Sequence, residues 1–234
     1  AEERRRVLSV FHNRRWDGDF LSVRDVVASG RLGEVMLFEA HWDRFRPTIK
    51  RGWREVPGEG AGLLNDLGPH LVDQALALFG PPEAVAGDLA MQRAQANVDD
   101  YFRLTLHYGV RRVVLSASTL IADPRPRFAV HATAGSFVKF GLDPQEAALK
   151  AGADVLEPGF GEDHPDAWGT LTVGDAPPER VPTRAGRWLE YYEGIAAAVL
   201  DGAPAPVYPA DAREGLRIIA AARQSADERR LVPL

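Results

Sequence analysis

Apolar positions along the chain follow two rhythms. Before Gly80 short runs alternate with helical spacing. VLSVFHN (residues 7–13), rich in Val, Leu and Phe, has the composition of a short buried strand. FLSVRDVVASG (20–30) predicts a helix, with Asp17 or Asp19 as its cap and Gly30 near its end. EVMLFEAHWDRF (34–45) alternates as a strand with one covered face does. The turn VPGEGAG (56–62) then leads into a helix over NDLGPHLVDQALALFG (65–80).

After Pro81-Pro82 the texture changes. EAVAGDLAMQRA (83–94), DYFRLTLHYG (100–109), RRVVLSASTLIA (111–122), RFAVHAT (127–133) and SFVKFG (136–141) are strand-like and joined mostly by short turns. Tyr108-Gly109 is a hairpin turn signal. A helix at QEAALKAG (145–152), a Gly/Pro/Asp-rich loop (152–169) and a short strand, TLTVG (170–174), follow. Two helices with apolar residues at three- and four-residue steps close the chain, within 187–202 and 210–226. The fold class is α+β: a large open, mostly antiparallel sheet with helices packed on one face. The uncovered face needs a partner or water. Apolar or small residues on both sides of VVLSAST and RLTLH predict a homodimer packed through it.

Composition narrows the partners. A net charge of −5 over 234 residues, with no basic stripe interleaved with aromatics, gives no nucleic-acid footprint. No apolar run approaches the roughly 18 residues of a membrane helix. The opening AEERRR has no apolar segment after it, so no secretory signal is expected. Cysteine is absent, which rules out thiolate metal sites and suits a reducing, cytoplasmic setting.

Candidate chemistry concentrates on the helix from Asn65. At about 100° per residue, with Asp66 as origin, His70 falls near 40°, Asp73 near −20° and Gln74 near 80°. The leucines face elsewhere. Asp66 and His70, four apart, are expected to touch. A carboxylate beside an imidazole favours the imidazolium and fixes its tautomer, as a general acid/base requires. Two other readings stay open: an N-cap Asp with a surface histidine, or Asp66, His70 and Asp73 around a cation. Pro69 is expected in the first helical turn, and Gly68 to keep the backbone accessible. GEGAG (58–62) lacks the preceding strand and the spacing of a dinucleotide-binding loop.

GEGAGLLNDLGPHLVD (58–73) resembles the C-terminal domain of the Gfo/Idh/MocA oxidoreductase family. VFHNRRWDGDFLSV, LGEVMLFEAHWDRFRP, FAVHATAGSFVKFGLDPQEAALKAG and VYPADAREGLRIIAAARQSA resemble its NADP-dependent scyllo-inositol dehydrogenase branch. The resemblance implies NAD or NADP, bound mainly by a Rossmann domain outside this chain, and a sugar or cyclitol substrate. Residues 1–13 would then be the end of the crossover from that domain, and 14–234 the substrate-binding and dimerisation domain, inactive alone. His70 matches the family's catalytic histidine and Asp66 the acidic residue before it. Asn13, Arg14, His41 and Asp43 match substrate-side positions, Asp73 a position that usually supports the helix and is counted with them, and Arg15 the cofactor side. Asp43 replaces an amide found in inositol dehydrogenases. Two other classes remain: a non-catalytic dimerisation or ligand-binding module, and a metal-dependent hydrolase.

Overall fold

The computed structural model describes residues 1–4, 6–50 and 52–234. Its strands are β1 (Val35–Asp43), β2 (Ala84–Ala90), β3 (Tyr101–Tyr108), β4 (Arg111–Ser118), β5 (Phe128–Ala132), β6 (Gly135–Lys139), β7 (Gly169–Val173), β8 (Glu179–Val181) and β9 (Val232–Pro233). Among the described residues they form one sheet in the order β8-β7-β6-β5-β1-β4-β3-β2-β9. Neighbours are antiparallel except β1 and β4, which run parallel. The helices are α1 (Gly18–Ala28), α2 (Leu63–Phe79), α3 (Gln145–Lys150), α4 (Leu189–Leu200) and α5 (Pro209–Glu228).

The two-residue period of the strands sorts the faces. Phe38, Ala40 and Trp42 of β1, Val113, Leu115 and Ala117 of β4, and Phe128 and Val130 of β5 all enter the core. There they meet Leu64, Leu67, Leu71 and Ala75 of α2 and Ile218, Ile219 and Ala222 of α5. Glu39, His41 and Asp43 take the opposite phase and face away from the helices. The mostly antiparallel sheet with helices on one face is the architecture expected from the strand pattern.

Three local expectations are corrected. Val7–His12 forms no strand: it runs without a ladder partner, and Val7, Leu8 and Phe11 are exposed. An apolar run is not a strand until a neighbour accepts its backbone. α2 starts at Leu63, which puts Pro69 at its seventh residue and not in the first turn. The proline has no N–H to give the Asn65 carbonyl. Gly68, finally, is a packing residue. A Cβ there would lie 2.8 Å from Leu64 Cδ1 and 3.7 Å from Ile219 Cδ1, so its smallness lets α2 approach α5.

Candidate active site

The site gathers on a short 3-10 turn, Asn13–Trp16, that is clamped onto α2. Arg15 lays its fork on the buried Asp73, donating from Nε at 2.9 Å and Nη2 at 2.7 Å. It also reaches Asp211 of α5 at 3.1 Å. Gln74, the next residue of α2, donates from Nε2 to the Arg14 carbonyl at 2.9 Å. Asn13 is buried at the head of the turn. With the turn fixed on both sides, Arg14 projects into the space between the sheet and α4.

Arg14 is enclosed there by aromatic faces. Its guanidinium lies 4.8 Å from the Trp42 ring and 4.9 Å from the Trp188 ring. Such stacking suits a planar, weakly hydrated cation. Nη2 donates to Glu146 of α3 at 2.5 Å, and Nη1 to Asp17 at 3.5 Å. Trp188 is held by donating from Nε1 to Asp17 at 2.7 Å and from its backbone to Gln145 at 2.8 Å. Asp17 is buried beside Asp19 and Asp143, and its own burial, then Asp19, raise its pKa well above the carboxylate range.

His70 sits against this cage. Its ring centre is 6.1 Å from Trp42 and 6.3 Å, edge-on, from His12. Nδ1 is buried with no hydrogen-bond partner among the described residues. Burial above all, then the charges of Arg14, His12 and Arg127, push its pKa down to about 3. The imidazole is therefore neutral at pH 7.

This corrects the expected Asp66–His70 pair. Asp66 turns to two guanidiniums, Arg54 Nε at 2.8 Å and Arg44 Nη1 at 3.5 Å. A carboxylate within reach of two permanent cations gains more there than from a neutral ring. His41 and Asp43 also depart from the site. They lie on the far face of the sheet, where His41 Nδ1 meets Ser116 Oγ at 2.8 Å. Asp43 accepts from Arg125 Nε at 2.9 Å and Nη2 at 2.8 Å. The side chain between them, Trp42, is the one that joins His70. Arg15, expected on the cofactor side, is spent on Asp73 and Asp211. Asp73 accordingly serves the clamp. Among the described residues no three His, Asp or Glu side chains form a cation site, and no helix is long and apolar enough to cross a membrane.

Trp42, Arg44, Glu146 and Trp188 join the site without having been expected there. Trp42 was legible, since it shares the inward phase of Phe38 and Ala40. Glu146 and Trp188 arrive from distant elements and leave no local signal.

The neutral His70 has a consequence for stability. The unfolded chain binds a proton near the ordinary histidine value of about 6.5, the folded chain only near 3. Stability from this group is thus fully present above about pH 6.5 and falls as pH drops towards 3, by at most about 1.4 kcal/mol per pH unit. His41, pushed down to about 4 by burial and by Arg125, acts in the same direction. Urea unfolding between pH 7 and 4.5 should show this decline, and NMR titration should show His70 still neutral at pH 5.

Comparison with known proteins places this geometry. A family profile described as "Oxidoreductase family, C-terminal alpha/beta domain" (GFO_IDH_MocA_C) matches residues 24–234. The chain belongs to the Gfo/Idh/MocA oxidoreductase family, as its C-terminal domain. Within this family it is 39% identical to scyllo-inositol 2-dehydrogenase (NADP(+)) IolW of Bacillus subtilis, over 100% of this chain and 66% of that protein. It is 44% identical to the uncharacterized oxidoreductase YdgJ of Escherichia coli, over 96% of this chain and 65% of that protein. The solved structure of yvaA from B. subtilis superposes with a TM-score of 0.97 at 39% identity, covering 100% of this chain and 68% of that one. The Gfo/Idh/MocA domain seen here thus spans just under two thirds of the length of these two relatives.

Proposed function

We propose that this chain is the substrate-binding half of an NAD(P)-dependent oxidoreductase. It would act on a hydroxyl or carbonyl of a sugar or cyclitol by hydride transfer. One observation carries the reading: a neutral His70 and an aromatic-caged Arg14 meet against the same Trp42 ring. The IolW relative, named scyllo-inositol 2-dehydrogenase (NADP(+)), supports that substrate and cofactor class.

The chain fits the nicotinamide only as a wall. Arg15 is committed to the Asp73 clamp, and GEGAG (58–62) leads into α2 without a preceding strand. The phosphates would be held by sequence outside this chain, and the cofactor, when bound, supplies the hydride acceptor or donor. The residues present do the rest. Trp42 and Trp188 hold Arg14, which is placed to orient ring oxygens through charge-assisted hydrogen bonds. His70, neutral and stripped of a carboxylate partner, accepts a hydrogen bond from the reacting hydroxyl and aligns it. With so low a proton affinity it is a poor final proton acceptor near neutral pH, so a stronger base must complete the reaction.

A non-catalytic module of the same fold is the second reading, and assay separates them. The 234-residue chain alone should give no polyol-dependent nicotinamide reduction, whereas the protein at the length of its relatives should. Turnover by the short chain would overturn the division of labour proposed here. We further assign the sheet face opposite the helices, with Val114 and Ala129 among polar side chains, to a second copy of the chain. A one-protomer mass by light scattering would exclude that. A cytoplasmic setting, suited to a chain without cysteine, is open to cell fractionation.

A further inference from the structure

Arg44, Arg46, Arg54 and Asp66 are among the residues that wall a small cavity of about 80 Å³ at the start of α2. That is room for one carboxylate or phosphate group, given about 30 Å³ per water. Asp66 lines it and stands four residues, about 6 Å along the helix axis, before His70. Arg44 also lies 5.9 Å from the Trp42 ring, whose centre is 6.1 Å from that of His70, so one aromatic side chain links the cavity to the histidine.

The cations here are unequally served. Asp66 is drawn to Arg54 at 2.8 Å and stands 3.5 Å from Arg44. The remaining carboxylates of the cavity have other partners. Glu55 and Asp100 hold Arg93 at 2.6 and 2.8 Å. Asp99 accepts from the Leu64 amide at 2.7 Å and faces Arg223 at 3.5 Å. Arg46 has no carboxylate at ion-pair distance among the described residues. Glu146 acts on Arg44 only at longer range, and its close partners are Arg14 and Lys150. Burial and the charge of Arg46 both push the Arg44 guanidinium down, so a further anion beside it is favoured.

We propose that Arg44 and Arg46 receive an anionic substituent, carboxylate or phosphate, on a substrate whose reacting hydroxyl lies at His70. This rests on the hydride-transfer reading above and narrows its substrate to an acidic or phosphorylated polyol. The anion takes the open side of Arg44 while Arg54 keeps Asp66, so no strong ion pair is broken on binding.

Calorimetry on the 234-residue chain with D-glucuronate, glucose 6-phosphate and glucose tests this. One of the two anions should bind about ten- to a hundredfold more tightly than glucose, and which one does so separates carboxylate from phosphate. Arg44→Gln should abolish the preference, and Arg46→Gln, at an exposed position, should reduce it with little risk to folding. Arg217→Gln, remote on α5, should preserve it. Equal binding of all three ligands, no binding of any, or a preference that survives both Arg44→Gln and Arg46→Gln would overturn the proposal. The readout is binding and not nicotinamide reduction, so it can fail while the hydride-transfer reading stands, and the reverse.

Discussion

Replacing Arg127 by methionine is expected to destabilise the fold by about 3–5 kcal/mol, the cost of stranding a buried charge. Arg127 is 2% exposed and tops the core. Its guanidinium stacks 4.2 Å from the Phe128 ring and 4.9 Å from Trp42, and Nη2 donates to Gln74 Oε1 at 2.9 Å. Nε lies 3.3 Å from Asp19 Oδ2. That is ion-pair distance without hydrogen-bond alignment, so the attraction is Coulombic and the pair is sensitive to loss of either member. Asp19 is 0% exposed and close to Asp17 and Asp143. Without Arg127, Asp19 would lose the cation it faces at ion-pair distance while keeping Asp17 and Asp143 as neighbours. Methionine fills much of the volume, which isolates the charge effect from a cavity. Urea unfolding of Arg127→Met, Asp19→Asn and the double variant measures it. The double variant should lose less than the sum of the singles, because it removes the stranded charge. Additive losses would show that Asp19 does not depend on Arg127.

Much of the fold was legible because strands and helices announce themselves by period. β2 to β7 and α1 to α5 fall where alternation and helical spacing put them. β8 and β9, three and two residues long, are too short to show a period. The parallel pairing of β1 with β4 was invisible, since it depends on which distant strand fills the place beside β1. The position of His70 on α2 followed from helical geometry, but its electrostatics did not. An i,i+4 spacing makes an Asp66–His70 contact possible, yet Arg44 and Arg54 come from other segments and take the carboxylate. His41 and Asp43 failed for a more elementary reason. Residues i and i+2 of a strand share one face, and on β1 that face is the one turned away from α2. Trp42, by the same alternation, was available as the site residue.

The central claim is that His70 meets the reacting hydroxyl. His70→Ala removes a ring that is mostly enclosed but makes no hydrogen bond through Nδ1 to any described residue. Folding should therefore survive with a modest cost, while alignment of the hydroxyl is lost. The loss belongs in kcat more than in KM, because the bond to His70 matters most as the hydroxyl gives up its proton. Its size should be about a hundredfold, near the lower end of general acid–base contributions, because so weak a base positions more than it accepts. The decisive measurement is kcat and KM for polyol-dependent nicotinamide reduction by the protein at the length of its relatives, wild type against His70→Ala, with circular dichroism confirming the fold. A fall in kcat of about a hundredfold at similar KM is the predicted result. A folded His70→Ala protein that turns over at the wild-type rate would contradict it.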